Sequence, residues 1–191
     1  MSSINMEDSV NDIVFVAFDF ETTGFNPNSD RIIEVGAVKF KDRKELDRFN
    51  ELVNPGMSIP QHSVEISGID DAMVSDAPDI TAVLKRFILF IRDSVLIAHN
   101  ANFDTSFLRA AASSDAELNI TNIIIDTLKL ARRAYPKQQS YSLQNLVKAL
   151  GLRSNAAHRA LDDSLQCMNI FLACAQELSV MGHISLKDVL D

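Results

Sequence analysis

Residues 13–24 read Ile-Val-Phe-Val-Ala-Phe-Asp-Phe-Glu-Thr-Thr-Gly. A continuous apolar run over 13–20 that ends in acid predicts a central strand of a sheet. Side chains alternate along a strand, so Asp19 and Glu21 point to one face while Phe18 and Phe20 point to the other. Two carboxylates closing an apolar strand cannot be core residues unless something neutralises them. The local alternative is that the strand has simply run out into solvent, and from this segment alone both readings stand. Residues 23–30, Thr-Gly-Phe-Asn-Pro-Asn-Ser-Asp, are turn chemistry throughout.

Working outward, 31–40 reads as a second strand on Ile32, Ile33, Val35 and Val38, and 46–53 as a shorter third. No helical pattern separates these three, which predicts an antiparallel meander. After a loop holding Pro55, Gly56 and Pro60 the period changes to 3.6, with Ile80, Val83, Leu84, Phe87, Ile88 and Ile91 on one helical face. A strand over 95–98, a helix over 103–112, a strand over 123–126 and a helix over 127–133 follow. Residues 142–150 form a short helix stopped by Gly151. A long amphipathic helix over 160–180 turns Leu161, Leu165, Met168, Phe171, Leu172 and Ala175 inward. The expectation is a single α/β domain on a mixed five-stranded sheet, an antiparallel meander plus parallel strands flanked by helices. It runs over 13–180, with an N-terminal tail over 1–12 and a C-terminal tail over 181–191.

Composition sets the bounds. The chain has 191 residues, 47% hydrophobic and 23% charged, enough for one core and unlike either a disordered chain or a membrane protein. Cys167 and Cys174 lie seven apart on the last helix, about 10 Å of rise, too far for a disulfide. Unpaired thiols without a CxxC suit a reducing compartment and argue against zinc. The first twelve residues are polar and acidic, and the apolar runs fall far below the roughly 20 residues that span a bilayer. A cytoplasmic protein with no membrane partner is expected.

The net charge of −8 speaks against bulk attraction to phosphates. It is unevenly placed, however. Residues 127–160 carry seven basic residues (Lys129, Arg132, Arg133, Lys137, Lys148, Arg153, Arg159) and no acid, a local +7 that leaves −15 for the rest. Most of these read as solvated helix faces, yet the stripe leads into His158, and local field matters more than the sum.

Two further segments place polar chemistry at the ends of core elements. In Ala98-His99-Asn100-Ala101-Asn102-Phe103-Asp104, Asp104 falls in the first turn of a helix, where the dipole favours an anion, and Asn102 is the expected cap. In Ala157-His158-Arg159-Ala160-Leu161-Asp162-Asp163, His158 precedes a helix and Asp163 lies about a turn in. Read singly, both are ordinary helix starts, although that reading gives His158 no task. Together the three segments bring four carboxylates and a histidine to the strand and helix ends where α/β folds assemble sites. Hard oxygen ligands without thiolates suit Mg²⁺ or Mn²⁺. Two such ions about 3.5–4 Å apart clamp a phosphodiester displacement, and a histidine, titrating near 6.5 in water, can deprotonate the attacking water. This is a nuclease constellation.

FDFETTG, AHNANFDTSFL and AHRALDDS resemble, in order and spacing, the three motifs of the DnaQ-like DEDDh 3′–5′ exonucleases, which include the proofreading epsilon-type exonucleases of DNA polymerase III. The intervening IPQHSVEISGIDDAMVSDAP and IDTLKLARRAYP are similar to that family too. The resemblance implies an RNase H-like fold and release of 5′-mononucleotides from the 3′ end of single-stranded or frayed DNA, with RNA as the alternative substrate. It implies two divalent ions, Mg²⁺ or Mn²⁺, held by Asp19, Glu21, Asp104 and Asp163, with His158 as general base. Thr22 and Thr23 would approach the terminal nucleotide, partly through backbone N–H groups, and His62 and Ser67 would line its pocket. Asn100 could face substrate or merely order its turn, as His99 would. Phe25 could stack on a base or fold back onto the core. Many proofreading members carry His where this chain has Ser67 before Gly68-Ile69, a group of shorter reach. A DNA polymerase subunit is the partner the family implies. Residues 181–191 show no evident clamp-binding peptide, which keeps a stand-alone exonuclease equally in view.

Overall fold

Phe15–Thr22 forms strand β1 and takes the centre of a five-stranded sheet. It pairs antiparallel with β2 (Ile32–Lys41) on one side and parallel with β4 (Val95–Ala98) on the other. β3 (Lys44–Leu52) extends the meander and β5 (Ile124–Asp126) lies parallel beyond β4, giving the order β3-β2-β1-β4-β5. The mixed sheet is thus as expected. The computed structural model describes residues 4–113, 115, 118, 120–153, 158–179 and 181–190. β2 and β3 meet through a two-residue turn in which Asp42 and Arg43 both have positive φ (46° and 61°), the twist that suits a tight hairpin.

The alternation of β1 feeds two cores. Val16, Phe18 and Phe20 pack with Val83, Leu84 and Phe87 of α3 (Ile80–Ile91) and Phe107 of α4 (Asn102–Ala112). Phe87 is fully buried among the rings of Phe18, Phe20 and Phe49. Its truncation to Ala would cost about 3–5 kcal/mol. On the other face Phe15 and Ala17 pack with Leu130 of α5 (Thr127–Ala134) and with Met168 and Phe171 of α7 (Ala160–Leu178). Asp19 and Glu21 continue this second face, so the strand aims its carboxylates toward α7.

The start of α7 is brought against β2 by a glycine. A Cβ on Gly36 would lie 2.1 Å from the carbonyl carbon of Ala160, so only glycine permits the approach. Ser164 Oγ then donates to the Gly36 carbonyl at 2.9 Å.

Several boundaries differ from the sequence reading. The loop after Pro60 contains α1 (Gln61–Ser67) and α2 (Asp71–Val74), too short to show a period; Gly68 closes the first in the left-handed region (φ 71°) and Asp70 caps the second. α4 begins at Asn102 itself, with Ala101 in the cap position and no side-chain cap bond, so Asn102 is not the cap. α7 ends at Leu178, and the expected end at Val180 lies outside the described residues. α6 (Leu143–Ala149) packs on α7.

The described parts of the expected tails are built into the domain. Val10–Asp12 forms a 3₁₀ turn and Leu186–Leu190 forms α8, joined by Val10 N–H to Ile184 O (3.0 Å) and Leu186 N–H to Asp8 O (3.0 Å). Val10, Ile184, Leu186 and Val189 are buried in the core under α5 and α7. Among the described residues no helix is long and apolar enough to cross a membrane. Cys167 and Cys174 are buried and unpaired.

Candidate active site

At the end of β1, Asp19, Glu21 and Asp163 each bring a carboxylate oxygen within 4.8 Å of the others. Strand alternation places the first two. Asp163 arrives one turn into α7, whose start is held at β2 by the Gly36 approach. Asp104, in the first turn of α4, stands outside this triad and is 2% exposed. One of its oxygens accepts from Phe20 N–H (3.2 Å), which ties α4 to the same strand end.

Burial pushes the Asp19 carboxyl well above the usual carboxylate range, and the charges of Asp104, Asp163, Glu21 and Glu34 push it further. Burial, then Asp163 and Glu34, raise Glu21 to about 7 against the pull of Arg159. Asp104 is raised chiefly by burial, opposed by its backbone hydrogen bonds. Asp163 is raised by burial, opposed by the His158 N–H bond and then by the charge of His158. Such a set of buried acids is a receptor for positive charge. The donor set fits hard divalent ions: every donor is a carboxylate oxygen, and the nearby Cys167 thiol is pushed up by burial and hydrogen-bonded to Thr127 Oγ1 (3.5 Å).

His158 precedes Arg159, the cap residue of α7, and has positive φ (64°). Its N–H donates to Asp163 Oδ2 (3.3 Å), so the histidine and the acid five residues on are tied together, and its side chain is exposed. Gln144 Nε2 donates to the other oxygen of Asp163 (3.1 Å). Sequence reasoning missed Gln144, since nothing distinguishes it from other polar residues on α6.

Beside the acids lies a cavity of about 160 Å³ lined by Phe20, Glu21, Thr22, Gly24, Phe25, His62, Ser63, Ile66 and Phe103. Glu21 belongs to both cavity and acid cluster. Thr22 lines the cavity with its hydroxyl donating to Gly24 O (2.6 Å), and His62 lines it from α1. Ser67 is not among the lining residues. Its hydroxyl donates to Ser63 O and accepts from Ile69 N–H, which closes α1, and Ser63, one turn earlier, lines the cavity. Thr23 is fully buried. Its N–H donates to Arg31 O and its hydroxyl accepts from Arg31 N–H, so it builds the 23–31 loop and has no N–H free for a nucleotide.

Phe25 neither enters the core nor floats free: it is 77% exposed and meets the Phe103 ring edge-on at 6.3 Å. Asn100 is exposed in the left-handed region (φ 63°), which asparagine tolerates, and donates its N–H to Asp126. His99 orders its turn, hydrogen-bonded to Thr127 Oγ1 and Tyr141 O at 2.9 Å each.

Asp19, Glu21 and Asp163 thus gather at one end of β1, beside a small cavity that shares Glu21. The family model described as Exonuclease, of RNase T type, matches residues 16–171, and the chain belongs to this exonuclease family. It is 40% identical over 174 residues to the DNA polymerase III subunit epsilon of Treponema pallidum, covering 90% of this chain and 81% of that one. It is 39% identical over 175 residues to the PolC-type DNA polymerase III of Caldanaerobacter subterraneus subsp. tengcongensis, covering 92% of this chain but 12% of that much longer one. The fold matches the nuclease domain of 3′hExo, a DEDDh family member bound to rAMP, with a TM-score of 0.75 and 21% identity over 86% of this chain and 92% of that one. The family resemblance read from the three motifs therefore holds.

Proposed function

We propose that the chain is a metal-dependent 3′–5′ exonuclease that removes 5′-mononucleotides from the 3′ end of DNA. The observation that carries this reading is the meeting of Asp19, Glu21 and Asp163 at a cavity that shares Glu21. Its likeness to DNA polymerase III proteins favours DNA, and a DNA polymerase subunit as partner.

Asp19, Glu21, Asp104 and Asp163 would hold two divalent ions, Mg²⁺ or Mn²⁺. When bound, these supply charge for the phosphate and an acidified water. The exposed His158, tied to Asp163 through its backbone, takes a proton from the attacking water on a ring nitrogen. The water oxygen bonds to phosphorus, the bond to the 3′ oxygen of the preceding nucleotide breaks, and the terminal nucleotide leaves with a 5′-phosphate. The rings of Phe25 and Phe103 offer apolar walls to the terminal base, with His62 at the rim and Asn100 on the α4 side.

The test is product analysis on 3′- and 5′-labelled DNA and RNA with Mg²⁺ or Mn²⁺. Mononucleotides shortening DNA from its 3′ end, abolished by EDTA, are the expected result. Intact DNA overturns the reading, and a preference for RNA would make the protein an exoribonuclease.

A further inference from the structure

We propose that Glu34 and Arg159 form a clamp that positions His158, an inference that rests on His158 being the general base. Glu34 lies in β2 between Ile33 and Val35, both fully buried, and is itself 1% exposed. A charge so placed persists only with partners. They come from the start of α7, 125 residues away. Arg159 Nε lies 3.2 and 3.1 Å from the two carboxylate oxygens and a terminal guanidinium nitrogen 2.6 Å from Oε1, a forked pairing. Ala160 N–H, 3.0 Å from Oε2, adds the first amide of the helix.

The clamp acts on the residue next to the one it grips. His158 is held in the left-handed region, a conformation that surrounding contacts must sustain in a residue other than glycine. Its imidazole makes no hydrogen bond to any described residue, so the space it can reach is bounded by its backbone, with the charge of Asp163 beside it. On the α7 side that backbone is fixed at three points: His158 N–H on Asp163, Arg159 on Glu34, and Ala160 N–H on Glu34. Gly36 adds a fourth through its close approach to Ala160. Arg159 is thus withdrawn from the basic stripe of which the sequence makes it the last member. Two of its three guanidinium nitrogens are engaged by Glu34.

A clamp that merely stabilises the fold and one that aims His158 predict different kinetics. The comparison uses Arg159→Ala and Arg159→Lys, which keeps the charge but not the fork, each alone and with His158→Ala. Activity is read on a 3′-labelled DNA oligonucleotide with Mn²⁺, and the histidine rings by NMR without metal, with His158 assigned by its absence in His158→Ala. Arg159→Ala should lower kcat roughly 10²-fold, the scale of an ångström's misplacement, with KM little changed. Arg159→Lys should lower it less. Neither should lower it further once His158 is gone. The metal-free His158 ring signal should shift toward that of a free histidine in Arg159→Ala.

Equal falls in both backgrounds, or an unshifted ring signal, overturn the clamp and leave the general base standing. A His158→Ala protein as fast as wild type overturns the general-base reading and the clamp's catalytic role with it. Arg159→Lys keeps the test decisive should Arg159→Ala fail to fold.

Discussion

Five carboxylates crowd the ends of β1, β2, α4 and α7, and the protein handles them in two ways. Glu34 receives a guanidinium fork and a helix amide. Of the other four, Asp104 receives the Phe20 N–H, Asp163 receives the His158 N–H and the Gln144 amide, and Glu21 feels the Arg159 charge without a hydrogen bond to it. The first region is neutralised by the chain itself, so its stability does not wait on a ligand. The second stores mutual repulsion at a fixed place, and that repulsion is relieved when positive charge arrives. Buried acids can therefore carry opposite messages: on the proposed reading the paired one marks architecture and those without an ion pair mark chemistry.

The largest expected effect tests that division directly. Asp19→Asn should abolish nuclease activity together with Mn²⁺ binding, read by oligonucleotide cleavage and titration calorimetry. In metal-free protein the same change should raise the melting temperature, by roughly 2–4 °C for each kcal/mol of repulsion removed. A lowered melting temperature without metal would show that the cluster stabilises the fold as Glu34 does, and the contrast would be lost.

His158→Ala comes next. General-base catalysis contributes about 10²–10⁴-fold, so kcat should fall by that factor while Mn²⁺ affinity holds, because the exposed imidazole belongs to neither region. Parallel loss of metal binding would move His158 into the ligand set.

The third effect is one of pH. Glu21, raised to about 7, and Asp19, Asp104 and Asp163, also raised, hold protons in the folded protein that the unfolded chain releases near pH 4. The native state therefore binds more protons, and stability falls as pH rises. Metal-free protein should melt progressively lower from about pH 5 to about pH 8, as thermal denaturation across that range would show. Mg²⁺ or Mn²⁺ should restore most at the high end, since binding displaces those protons. A flat profile would mean that the acids are already compensated.

Much of this division was legible before any coordinates. Period-2 alternation alone assigns Asp19 and Glu21 to one face, and the α7 pattern puts Asp163 one turn in, because both are local properties of a strand and a helix. The antiparallel meander follows from the same local logic, strands without an intervening helix pairing antiparallel, whereas the pairing of β4 with β1 is set by tertiary packing. Glu34 could have been found: a lone acid between Ile33 and Val35 in a buried strand demands a partner. What it demands is not local, and Arg159 lies 125 residues away. Ser67 against Ser63 was beyond reach for a related reason. Which of two serines one turn apart meets the cavity depends on how a seven-residue helix docks, and α1 is too short to print a period.

The smallest effect falls on cations that belong to neither region. α5 buries Leu130, Ala131 and Ala134 and leaves Lys129, Arg132 and Arg133 exposed. Arg133 donates to Asp188 O in α8, and Arg132 lies over the ring of Tyr141, whose carbonyl is hydrogen-bonded to His99 just past β4. No described carboxylate forms an ion pair with Lys129 or Arg132. If these charges steer an incoming strand, each phosphate contact contributes about 0.7 to the slope of log affinity against log salt on single strands. Arg132→Ala should then raise KM modestly at moderate salt, flatten the salt dependence by about that amount and leave kcat alone, whereas Arg133→Ala should change little. Salt series on both variants distinguish a strand-guiding face from a solvated one, because loss of the Tyr141 or Asp188 contact alone would not flatten the salt dependence. On that outcome the net charge of −8 would not oppose nucleic acid, because local cations, rather than the sum, would govern where a strand is received.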